Sequence, residues 1–201
     1  MALGFTGMSM LGIQFLLTAR FRRACAPFGI DIIYLFHRYL AIMVVFLIAL
    51  HYLIIRITNI DALGTMNPLQ APWYMTAGRT SFLMLLVLIV TSLWRKSLRT
   101  HYDEWRIAHI GLSVACVLFA LAHIEGVGYY IDVPAKRWIW TGYVLFWLSL
   151  VVYVRLIKPW QMRRKPYRVL KVIQECCNCW ALVFEPYGHK GISFKPGEFA
   201  W

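Results

Sequence analysis

The sequence predicts an all-α membrane helix bundle of about five transmembrane helices, followed by a short β segment. Composition is the first reason. Of 201 residues, 60% are hydrophobic and only 15% are charged, where a soluble domain carries about 25% charge. Mean hydropathy is +0.60. The second reason is distribution: five apolar runs alternate with loops that are either basic or rich in turn formers. The third is a sharp change of composition after Pro159, where apolar residues give way to a basic stretch and then to alternating strand-like segments.

The runs justify themselves in order. Leu3 to Leu17 is apolar but short for a span, and its basic cluster, Arg20, Arg22 and Arg23, follows it. A secretory signal places positive charge first, so this is not one. Ile32 to Ile57 is the second run, followed by a loop with the turn formers Asn67, Pro68, Pro72 and Gly78. Phe82 to Trp94 is the core of the third and ends at Arg95, Lys96 and Arg99. Trp105 to Ile124 is the fourth, closed by Gly126 and Gly128. Trp138 to Ile157 is the fifth, stopped by Pro159. Lys158 to Lys171 is basic, and Val169 to Phe184 reads as strand, turn, strand.

Charge then sets topology. The formal net charge is +12, and in a soluble chain that would suggest nucleic acid. Here the basic residues sit in loops between spans, so the positive-inside rule accounts for them and no nucleic-acid partner is expected. The loops after the first and third runs and the Lys158–Lys171 segment alternate correctly if all three are cytoplasmic, which puts the C-terminus inside. The loops at 58–78 and 126–135 contain no Lys or Arg and face outward. The second and fourth runs therefore run parallel, from inside to outside.

Those two runs carry the candidate site. His37 and His51 lie 14 residues apart, and so do His109 and His123. Fourteen helical residues turn through about 1400°, roughly 40° short of four full turns, and rise about 21 Å. Both members of a pair thus share nearly one face, one toward each side of a membrane core about 30 Å thick. Parallel helices match His37 with His109 near the inner side and His51 with His123 near the outer side. Two stacked pairs of imidazoles are the ligand set for two b-type haems. Zinc is excluded because each level offers two histidines and no nearby thiol or carboxylate. The plainer alternative, interhelical hydrogen bonding, fits a lone histidine better than two pairs with one spacing.

Arg38 and Arg106 adjoin the inner pair, and Arg106 shares a face with His109. Either these arginines fork haem propionates or they snorkel at the cytoplasmic interface. Arg56 and Arg79 lie near the outer surface, within reach of an outer propionate or an anionic substrate. His101 and His189 read as solvated loop residues. The five cysteines include no C-x-x-C-H, so covalent haem attachment is not indicated. Cys176, Cys177 and Cys179 read as free thiols in a hairpin.

Paired H-x13-H helices separated by one span resemble the ferric reductase-like transmembrane domain shared by NADPH oxidases and ferric-chelate reductases, in its bacterial type. The segment from Trp180 to Trp201 is similar to the opening strands of the ferredoxin-reductase-type FAD-binding barrel, with Lys195, Pro196, Gly197, Glu198 and Phe199 standing where the family has a Lys-Pro-Gly-Gln-Phe-like run. The resemblance covers Ile32 to Trp201. It implies a dihaem transmembrane domain over 1–160 and the incomplete start of an FR-type barrel over 166–201. The family has six spans and a His-Pro-Phe-Ser/Thr flavin motif beyond Phe199, and no Gly-rich nucleotide fingerprint is seen. A fragment of a longer protein is therefore expected, with the first family helix missing and with FAD and NAD(P)H bound in the missing C-terminal region.

What the resemblance implies is an integral membrane oxidoreductase, of the bacterial inner membrane, that passes electrons through two b haems. They come from a cytoplasmic NAD(P)H/FAD flavoprotein domain, in cis or in trans, and go to an outside acceptor, either ferric chelate or O2. Two other readings stay open. One is a dihaem cytochrome b of a quinol-linked respiratory complex. The other is a membrane haem subunit served by a separate flavoprotein.

Overall fold

The computed structural model describes residues 1–19 and 29–191. Arg20, Arg22, Arg23, Cys25 and the Lys195–Phe199 run, with Trp201, lie outside the described residues. The chain divides into two units, Met1–Val151 and Val152–Trp201.

The first unit is helical. Its elements are α1 (Ala2–Thr18), α2 (Ile30–Thr58), a 3₁₀ turn (Ile60–Leu63), α3 (Trp73–Leu93), α4 (Tyr102–Val127) and α5 (Pro134–Val152). Four helices are long and apolar enough to cross a membrane: α2, α3, α4, and the helix that starts as α5 and runs from Pro134 to Arg163. The fifth apolar helix, α1, has 17 residues, about 26 Å at 1.5 Å per residue, just under the usual span of about 20 residues. The protein is an integral membrane protein by these spans. Its outer helix faces show it too: Phe46 is 64% exposed, Ile107 68% and Leu145 61%, surfaces that water would not tolerate and lipid tails accept.

Contacts fix the helix directions. Gly4 approaches His51 and Gly7 approaches Ile48, while Gln14 bonds to His37, so α1 and α2 are antiparallel. Gly78 meets His123, Gly126 meets Tyr74, Ser81 bonds to Cys116 and Ser92 to His109, so α3 and α4 are antiparallel. Phe5 lies against Trp140 with ring centroids 5.0 Å apart, and Gly12 approaches Trp147, so α5 runs parallel to α1. The core between them is Met8, Leu11, Phe15, Val44, Leu85, Leu88, Cys116, Val117, Val144, Trp147 and Leu150.

A glycine decides the α1–α5 contact. A Cβ on Gly12 would collide with the indole of Trp147, which is buried at 5% exposure. Small residues permit this close approach in membrane bundles. Gly12→Ala is expected to destabilise the bundle by about 1–3 kcal/mol through overpacking, read as an earlier thermal unfolding transition in detergent. An unchanged transition would show that α1 does not depend on this contact.

Two expectations are corrected. Gly78 is not in a loop: α3 starts at Trp73, five residues earlier, because Pro72 N-caps the helix and the glycine is needed inside it, against α4. Nor does Pro159 stop the fifth helix. A π-helical turn over Tyr153–Ile157 precedes a last helical segment, α6 (Lys158–Arg163), with proline in its first turn. First-turn prolines lack only an N–H that has no helical partner anyway.

The second unit holds α6 and a two-stranded antiparallel hairpin, β1 (Tyr167–Gln174) and β2 (Trp180–Pro186). The strand, turn, strand reading of the sequence holds here. Arg168 pairs with Glu185 directly opposite at 3.3 Å, and a bulge interrupts the register between Val169 and Lys171. His189 bonds to the Pro166 carbonyl at 2.9 Å, which pins the chain leaving β2 back to the start of β1.

Candidate functional site

The two histidine pairs meet level by level. The His37 and His109 rings have centroids 6.5 Å apart. His51 and His123 are neighbours at the other level. Since His37 and His109 both lie near the starts of their helices, and His51 and His123 both near the ends, α2 and α4 are parallel. The rise between levels is about 21 Å.

The surroundings of the α4 histidines fix their tautomers. Ser92 Oγ donates its hydrogen to the Leu88 carbonyl at 2.6 Å and lies 3.3 Å from His109 Nδ1. With its one hydrogen committed, the hydroxyl must accept, so His109 carries its proton on Nδ1. His123 Nδ1 lies 2.9 Å from the Tyr74 carbonyl, which only accepts, so His123 is also protonated on Nδ1. Both rings then keep their lone pair on Nε2, the arrangement that orients imidazole toward a metal.

The space around the rings is made by glycines. A Cβ at Gly4 would sit 3.3 Å from His51 Nε2, and one at Gly78 would sit 2.7 Å from His123 Nδ1. The outer pair thus lies against one glycine of α1 and one of α3. The inner pair lies among unsatisfied polar groups. His37 Nδ1, Gln14 Oε1 and Trp105 Nε1 are buried without a hydrogen-bond partner. Gln14 Nε2 donates to the His37 carbonyl at 3.2 Å, and the Trp105 ring lies 5.0 Å from that of His109. Buried orphans of this kind are costly and call for an explanation.

Halfway between levels the bundle is closed. Val44 lies seven residues from both His37 and His51, and Cys116 seven from both His109 and His123. They are 0% and 1% exposed. Ser81 Oγ donates to the Cys116 carbonyl at 2.9 Å, and Cys116 Sγ donates to the Ser81 carbonyl at 3.4 Å. No polar group of this clasp is left over.

The residues present fit a group that takes one imidazole from each side, as haem iron does: the His37 and His109 rings stand 6.5 Å apart, too far for direct contact, and His37 Nδ1 is buried without a partner. Among the described residues no group of three or more His, Cys, Asp or Glu could hold a metal ion.

The arginines separate. Arg106 reaches Asp103 at 3.3 Å and lies over the Tyr102 ring at 5.8 Å; Arg38 and Arg56 are exposed. Arg79 is spent on structure. Its guanidinium donates to the carbonyls of Thr65 at 2.8 Å and Leu63 at 2.6 Å, which straps the 58–72 loop onto α3. Sequence reading missed Gln14, Ser92, Trp105, the Tyr74 carbonyl and the glycines. Gln14 carried a signal, as a polar amide inside an apolar run. So did Trp105, one turn before His109.

Comparison with known proteins adds one result. The family described as ferric reductase like transmembrane component matches residues 3–120, which include His37, His51 and His109 and stop three residues short of His123. No curated protein and no solved structure matches the chain. Family membership supports a role of oxidoreductase type in electron transfer across a membrane. With more than half of its length matched, the chain belongs to the ferric reductase-like transmembrane component family.

Proposed function

We propose that this protein carries electrons across a membrane through two b haems. His37 and His109 would hold the inner one, His51 and His123 the outer. The donor is a cytoplasmic NAD(P)H/FAD flavoprotein module, and the acceptor is a ferric chelate or O2 on the other side. The observation that carries this reading is the approach of His37 to His109 at 6.5 Å on helices that carry His51 and His123 about 21 Å further along. When bound, the haems supply two one-electron centres.

The chain's own residues do the rest. Ser92 and the Tyr74 carbonyl each hold a proton on Nδ1 and present Nε2. Gly4 and Gly78 make room at the outer level. Gln14 and Trp105 bring unpaired polar atoms to the inner level, where Arg38 would meet a propionate directly and Arg106 by giving up its pair with Asp103. In this reading 1–160 is the electron-transfer domain, and 166–201 begins the flavin-binding barrel. The C-terminus lies in the cytoplasm, below a bacterial inner membrane, because the Lys158–Lys171 segment is the most costly to translocate.

The test is vectorial. Haem-loaded protein is placed in liposomes with ferric chelate trapped inside, and a flavoprotein reductase with NADPH is added outside. Reduction of trapped iron that requires both protein and haem is the expected result. NADPH oxidation confined to the outer solution, or reduction of added quinone in preference to trapped iron, would overturn the reading.

A further inference from the structure

The cysteines at the tip of the β1–β2 hairpin have no part in that scheme. Cys176, Cys177 and Cys179 are all exposed and all free thiols. The turn that carries them is tight. Cys179 N–H donates to the Cys176 carbonyl at 3.2 Å, and Glu175 N–H donates to the Cys179 carbonyl at 2.9 Å. Its two central residues, Cys177 and Asn178, both have positive φ, 58° and 68°. This is the pattern of a type I′ turn, whose central positions normally take Asn and Gly. Cysteine in the left-handed region is an outlier, and outliers of this kind gather at functional positions.

The turn brings Cys176 and Cys179 into disulfide reach. A β-turn closed by its i to i+3 hydrogen bond holds those two Cα atoms less than about 7 Å apart, and disulfides span Cα separations of roughly 4.4–6.8 Å. Neighbours Cys176 and Cys177 are separated by only about 3.8 Å across a trans peptide, below that range. A metal is the competing use of C-x-x-C, but two sulfurs do not make a closed site, and among the described residues no third ligand joins them.

We propose that Cys176 and Cys179 form a redox-active thiol pair that a peroxide closes into a disulfide across the hairpin turn. One thiolate attacks the peroxide, the O–O bond breaks, one oxygen leaves as water and a sulfenic acid remains. The second thiol attacks that sulfur, the S–S bond forms and the hydroxyl leaves as a second water. Two thiols and hydrogen peroxide thus give one disulfide and two waters, and a dithiol reverses the closure by exchange. Cys177 stays a thiol throughout.

The test uses the full chain. Trypsin cuts after Lys171 and Lys190, and the peptide between them contains these three cysteines and no other. Purified protein is treated with stoichiometric hydrogen peroxide, quenched in acid, denatured, alkylated and digested. The expected peptide takes one alkyl label, on Cys177, instead of three, and is lighter by two hydrogens before labelling. Dithiothreitol restores three labels. Cys177→Ser should still close, and Cys179→Ser should lose the reversible two-hydrogen change. Three labels after peroxide, a bridge that includes Cys177, or protection from label by a co-purified metal would each overturn the proposal. Haem content is untouched in every arm, so failure here leaves the dihaem reading standing.

Discussion

His109→Ala is expected to lower the haem count from two per chain to one, measured as pyridine haemochrome on purified protein. The haem that remains is the outer one, because His51 and His123 lie about 21 Å away and share no contact with the altered ring. His37→Ala should remove the same haem as His109→Ala, since the two ring centroids lie 6.5 Å apart. His51→Ala and His123→Ala should both remove the other. The inner and outer haems can be told apart by their midpoint potentials, so the pairing itself is open to test. If His37→Ala and His123→Ala removed the same haem, the parallel arrangement of α2 and α4 would be wrong. If none of the four changed the count, these histidines would be helix-packing residues only.

The second large effect is expected at a residue that touches no cofactor. A Cβ on Gly78 would come within 2.7 Å of His123 Nδ1 and 2.8 Å of its Cγ. The ring cannot yield cheaply, because the Tyr74 carbonyl grips that same nitrogen at 2.9 Å. Gly78→Leu should therefore break the hydrogen bond that sets the ring's orientation and lower affinity for the outer haem on the order of 10–100-fold, the usual cost of losing such a partner. The inner haem should stay. Gly111→Ala is the control. It lies on α4 two residues beyond His109, nothing approaches its Cβ position within 4 Å, and alanine there should be neutral or slightly stabilising, by up to about 1 kcal/mol. Full outer-haem occupancy in Gly78→Leu would show that the ring has room to move.

The contrast between these two variants shows what a sequence makes legible. The histidine ladder is visible because helical period and membrane thickness are both fixed quantities, so a spacing of 14 carries geometric meaning by itself. The hairpin was visible through the change of composition after Pro159 and the strand, turn, strand pattern of Val169 to Phe184. Gly78 was misread as a turn former because a glycine shortly after Pro68 and Pro72 looks like a loop. Its real reason, His123, lies 45 residues further along the chain. Ser92 and the Tyr74 carbonyl escaped for the same cause: a backbone oxygen has no letter in a sequence, and a serine in an apolar run has many uses. Pro159 misled in the opposite sense, since a π turn just before it supplied a new helix start. Local rules failed wherever a distant element set the requirement.

The clasp of Val44, Ser81 and Cys116 at half-height has an electrical consequence. Its side chains are buried, at 0% exposure for Val44 and 1% for Cys116, and among the described residues none of its polar atoms is left without a partner, so this layer offers a proton nothing to hop along. An electron that crosses it moves without a compensating proton. Charge displacement across a membrane amounts to about 2.3 kcal/mol per elementary charge per 100 mV. A step of about 21 Å in a core of about 30 Å takes about seven-tenths of that, about 1.6 kcal/mol per 100 mV, or somewhat more than tenfold in the equilibrium between the two levels. On the proposed function, transport would then be electrogenic. With the proposed cytoplasmic donor, a cell with its interior negative would drive the electron outward, and the membrane voltage would add to the driving force for reduction on the far side.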